Sequence, residues 1–146
     1  NYLDEMKSSP DISDLFLYGR LNYYAATDSA YQDKQPTYLA EADTIFAQVA
    51  VKVPDNYLGN FWRARVNSLR DPETTQGLAK PYYEAALSIL EQKPDATKSV
   101  LVECNSYLGY YYFVKEDYNQ SKQYWNKILE IDPENETATK ALGGIK

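Results

Sequence analysis

The chain contains no histidine. That removes the commonest general base and the commonest metal ligand. Neither a Ser–His nor a Cys–His nucleophile pair can be assembled. The single cysteine, Cys104, excludes an internal disulfide and leaves the redox compartment open. One thiolate with carboxylates alone is a poor zinc set, so no metal and no cofactor is expected. No apolar run reaches the roughly 18 residues that a membrane-spanning helix needs, so no membrane insertion is expected. Basic residues are the minority, 15 Lys and Arg against 21 Asp and Glu, for a net charge of −6. They form no run, which argues against nucleic acid, because phosphate binding needs clustered cations. No secretory leader is legible. The chain begins at Asn1 rather than Met, so it reads as a fragment or processed product, cytoplasmic or periplasmic.

What remains is ordinary globular composition with one excess. The 146 residues suit a single domain able to bury its own core. Tyrosine is abundant, with 15 Tyr beside 4 Phe and 2 Trp. A ring with a polar tip suits half-buried faces and interfaces. Leu39, Ala42, Ile45, Phe46, Val49 and Val53 follow the three-and-four helical rhythm. No segment alternates with period two. The rhythm and the Pro/Asp/Asn punctuation predict helices near Asp11–Thr27, Pro36–Val53, Asn56–Leu69, Gly77–Gln92, Thr97–Lys115, Asp117–Ile131 and Glu134–Ile145. Pro81 must then lie in a first turn, where its missing N–H costs little.

The segments superpose on one another. Small residues of the first helices fall at Gly19, Ala64 and Gly109, a spacing of 45 each time. Second helices carry Ala42 and Phe46, then Ala79, Tyr83 and Ala86, then Ser121 and Trp125. Pro54, Pro94 and Pro133 close the units. Small residues facing one another let two antiparallel helices approach closely, and the large rings fill the space beside them. Tyr2 and Pro10 share the spacing of Phe46 and Pro54.

Val102–Asn135, with Leu108-Gly109, Tyr112, Ser121, Trp125 and Pro133, resembles the tetratricopeptide repeat almost position for position. Asn105 departs from it, standing where that family often has Trp. Trp62–Arg65 and Gly77–Tyr83 resemble stretches of bacterial tetratricopeptide proteins. The resemblance implies an all-α right-handed superhelix of antiparallel helical hairpins. The family unit is about 34 residues, so insertions are expected around Ser29–Pro36, Pro72–Gln76 and Gln92–Ser99. The divisions follow: residues 1–10 as the tail of a preceding repeat, repeats at 11–54, 55–95 and 96–133, and a capping helix over 134–146, which terminal repeats need.

The resemblance also implies a non-catalytic scaffold whose first helices line a concave groove for a protein or peptide. Carried over position by position, the contact residues are Phe16, Arg20 and Tyr24, then Phe61 and Arg65, then Tyr110 and Phe113. Two arginines in register among rings suit a carboxylate and an extended apolar or proline-containing peptide. The family's two-carboxylate clamp for chaperone tails is not reproduced, since Arg, Arg and Tyr follow the small residues. On a helix Tyr110, Tyr111 and Tyr112 point three ways, with Tyr112 expected toward the core and Tyr110 toward the groove. Tyr23, Trp62, Tyr83 and Tyr112 also suit packing between hairpins. Arg20 and Arg65 also suit pairing with carboxylates of their own chain. Cys104 reads as a small buried hydrophobe, and the other Glu and Asp as solvated helix faces. Asn135-Glu136-Thr137 matches a glycosylation acceptor pattern that is common by chance. The competing reading is a structural spacer or self-association module of a longer array, its groove empty.

Overall fold

The computed structural model describes residues 11–145, and the expected tail of a preceding repeat lies outside them. Among the described residues seven α-helices follow one another: α1 (Ile12–Thr27), α2 (Gln35–Lys52), α3 (Leu58–Arg70), α4 (Lys80–Leu90), α5 (Lys98–Val114), α6 (Tyr118–Ile131) and α7 (Glu136–Gly144). No strand occurs among the described residues. Each helix packs chiefly on the next, as a one-dimensional array requires.

Short polar side chains set three of the seven starts. Asp11, Asp117 and Asn135 accept from the backbone N–H of Asp14, Gln120 and Ala138 at 2.8, 3.2 and 2.9 Å. Each side chain satisfies one of the donors that a helix start leaves orphaned. The amide of Asn135 also donates to Asp132 at 3.1 Å, so the residue of the glycosylation pattern serves as a cap. Pro36 and Pro81 both sit in first turns.

The insertion after α1 is ordered. Ser29–Lys34 forms a short 3-10 segment. Asp28 accepts from Ala30 N–H at 2.9 Å, and the Gln35 amide reaches back to the Ala26 carbonyl at 2.9 Å. The second insertion delays α4, which begins at Lys80 rather than near Gly77. Buried Asp71 explains the delay. Its carboxylate accepts from the amides of Gln76, Gly77 and Leu78 at 3.2, 2.8 and 3.3 Å. Gly77 sits at φ +68°, and a Cβ there would lie 2.5 Å from the Tyr111 ring. The first turn of a helix cannot form over backbone held that way.

The main core runs through the first two hairpins into α5. It gathers Leu39, Ala42, Phe46, Phe61, Trp62, Ala64, Val66, Ala79, Tyr83, Ala86, Leu87, Cys104 and Leu108, among others. A second cluster of Leu15, Tyr18, Ile45 and Val49 joins α1 to α2. A third, of Trp125, Ile128, Ala138 and Ile145, seats α7 on α6. Two hairpins close in the same way. A Cβ on Gly19 would stand 2.6 Å from the Phe46 ring, and one on Gly109 would stand 2.6 Å from Trp125. In the second case Ser121 also donates its hydroxyl to the Gly109 carbonyl at 2.7 Å, bolting α6 to α5.

Candidate protein-binding face

The first helices α1, α3 and α5 carry the residues in register. On α3, Arg65 lies over the rings of Phe61 and Trp62, 4.4 and 4.7 Å from their centroids. Its Nε and Nη2 donate to the two oxygens of Glu103 on α5, at 3.0 and 2.7 Å. The Tyr83 hydroxyl of α4 donates to the same carboxylate at 2.9 Å. One carboxylate thus ties three helices. Hydrogen bonding to Glu103 raises the Arg65 pKa. Burial, and then the Glu103 charge, pushes the Tyr83 phenol far up.

Arg65 is therefore occupied. It pairs with its own chain through Glu103. Phe61 needs a firmer correction. It is 3% exposed and packs edge-on against Tyr83, so it belongs to the core and not to the groove. The cause is the packing of α3 on α4: Phe61 meets Tyr83, and Arg65, one turn on, lies over its ring. Tyr112, expected in the core, is half-buried and stacks on Tyr124 at 5.7 Å and 5°. Tyr107 and Leu108 take the core side of α5 instead.

Trp62 is the hub of the aromatic face. Phe16, Tyr23 and Tyr24 of α1 meet its ring edge-on at 5.8, 5.3 and 6.0 Å, and Phe46 lies 5.7 Å away. Tyr23 is half-buried there, and burial raises its pKa. Tyr24 keeps 53% of its surface free. Arg20 lies over Phe16, 4.9 Å from the centroid. Its Nε is buried and has no hydrogen-bond partner.

At the other end, Tyr110 and Phe113 are 45% and 42% exposed. With Trp125, Lys140, Ala141, Gly144 and Ile145 they line a mainly apolar cleft of about 200 Å³ between α5 and α7. Cys104 is fully buried, and burial pushes its thiol up to about 12, so it is held as an inert thiol.

Acidic residues read from sequence as solvated are part of the framework. Besides Glu103 and Asp71, Asp43 accepts from Arg63 at 2.9 and 3.3 Å and from Asn67 at 2.8 Å, joining α2 to α3. The available signal was register: Glu103 precedes the small residue of its helix by six places, on the same helix family as the arginines.

The described residues form an all-α array of antiparallel helical hairpins. The chain has the fold of a tetratricopeptide-repeat protein. It is similar to the C-terminal part of a TPR repeat-containing protein from Cytophaga hutchinsonii, with 30% identity and a TM-score of 0.69 over 97% of this chain. The match spans 64% of that solved chain. No family model and no curated protein matches. The fold suggests a protein-interaction scaffold in general terms and is typically non-catalytic. No helix among the described residues is long and apolar enough to cross a membrane.

Proposed function

We propose that the chain holds a protein or peptide, without catalysis, on the face formed by α1, α3 and α5 and closed by α7. The observation that carries this reading is the pair of exposed rings, Tyr110 and Phe113, opening on the apolar cleft against α7. Exposed rings beside a cleft with few polar atoms favour an apolar side chain of a partner. Tyr24 and Arg20 extend the face toward the N-terminal end, with Phe16 as the platform beneath. Phe61 and Arg65 support the face from below.

The test compares partner capture by the native chain and by Tyr110→Ser/Phe113→Ser, both checked for folding by circular dichroism. Partners held by the native chain should fall about tenfold or more with the double variant, as for paired interface anchors. Equal capture removes the cleft from the interface. The exposed rings also suit a second copy of the chain. Sedimentation velocity at several concentrations separates that reading, because a dimer abolished by the same variant replaces the external partner.

A further inference from the structure

The two in-register arginines, 45 residues apart, differ in one respect. Arg20 lies over Phe16 as Arg65 lies over Phe61. Arg65 finds its carboxylate 38 residues further on, at Glu103. The same step from Arg20 reaches Leu58. The second-helix ring also changes: Tyr83, which donates to Glu103, corresponds to Phe46. The first hairpin thus keeps the cation and its ring platform but has apolar residues where the second has the acceptor and its tyrosine. The chain has four arginines. Arg63, Arg65 and Arg70 each donate hydrogen bonds to side chains. Arg20 donates none to any described residue, and its Nε is buried without a partner.

A guanidinium in that state lacks the planar acceptor it is shaped for. Phe16 lies beneath it and exposed Tyr24 stands one turn further along the same helix, so an added charge would sit in a partly desolvated setting. We propose that Arg20 is the seat for one carboxylate of a bound peptide, taken on its terminal guanidinium nitrogens, because its Nε is buried against the fold. This rests on the scaffold reading above and adds the chemistry of the partner. The carboxylate is that of an Asp or Glu side chain or of a C-terminus, with an apolar neighbour to lie on Tyr24.

Three libraries of nine-residue peptides, randomised at the other positions, test this with the whole chain as bait. One has a central Glu and an amidated end. One has a free C-terminal carboxylate and no Asp or Glu. One has a central Gln and an amidated end, and Asp and Glu are left out of the randomised positions of all three. The expected result is enrichment of one or both carboxylate libraries over the Gln library by about tenfold, the scale of one charge-assisted hydrogen-bonded contact. Which of the two is enriched identifies the source of the carboxylate. Arg20→Ala should erase the preference. Leu58→Glu should erase it too, by placing a carboxylate of the chain itself on Arg20, and it keeps the proposal testable if Arg20→Ala unfolds. Equal enrichment of the Gln library, or a preference that survives in folded Arg20→Ala, overturns the proposal. Peptides that bind without charge preference and are lost only with Tyr110→Ser/Phe113→Ser overturn it while leaving the scaffold reading intact. No enrichment of any library with the native chain overturns both.

Discussion

The junction around Arg65 and the surface around Arg20 are built from the same parts to different ends. Each places an arginine over a phenylalanine of its own helix, one residue past the small position. At Arg65 the next repeat answers with Glu103, and the charge is spent inside the fold. At Arg20 the corresponding position of the next repeat is Leu58, and no described side chain accepts from the arginine. In a repeat array, identical residues do not have identical roles. The neighbour one repeat along decides whether a side chain is structure or surface.

Removing the platform that both regions share should have the largest effect. Trp62 receives Phe16, Tyr23 and Tyr24 from α1 and carries Arg65 on its face. Trp62→Ala should cost about 3–5 kcal/mol, the usual scale for emptying a buried aromatic site. Urea melts should show it as a lower midpoint with an unchanged slope. A loss under about 1 kcal/mol would mean that the rings are a surface cluster, not a hub.

Next come the close approaches of the hairpins. Gly→Ala in a helix interior is normally favourable by up to about 1 kcal/mol. At Gly19 and Gly109 the added methyl would stand 2.6 Å from Phe46 and from Trp125, both buried. The rings cannot yield without opening the hairpin. Overpacking should win, leaving each variant about 1–3 kcal/mol less stable. Gly109→Ala should be the worse of the two, because separating α5 from α6 also strains the Ser121–Gly109 hydrogen bond. A thermal midpoint that rises for either variant would show that the approach is looser than drawn.

These positions also mark how far the sequence could be read. Gly19, Ala64 and Gly109 repeat because sterics at a helix crossing leave little choice, so spacing together with the tetratricopeptide resemblance made the helical array legible. Element ends were legible where Pro, Asp or Asn carries the cap. They were less so at α4, where buried Asp71 holds three backbone amides out of helix and nothing local announces it. The face was harder. Helical register puts Phe61 and Arg65 on one stripe, but a half-turn decides between core and solvent, and pairing across 38 residues decides whether an arginine is free. Neither quantity is local in sequence.

The smallest effect sharpens the comparison most. Glu103→Gln keeps the shape but removes the charge that two donors share. The ion pair is about one-third exposed on both sides, so solvent screens it, and the loss should be about 1–2 kcal/mol. Arg20→Ala removes a half-buried cation stacked on one ring with no acceptor among the described residues, worth about 0.5–1 kcal/mol. The inequality is the test, read from urea midpoints of both variants under one buffer. Equal losses would mean that Arg20 is already satisfied within the chain. Leu58→Glu carries the argument one step further. In that background Arg20→Ala should cost more than it does in the native chain, approaching the Glu103→Gln figure, and a double-mutant cycle isolates the coupling from the packing lost at Leu58. A coupling near zero would show that the two repeats do not superpose closely enough for one to supply the other's contact.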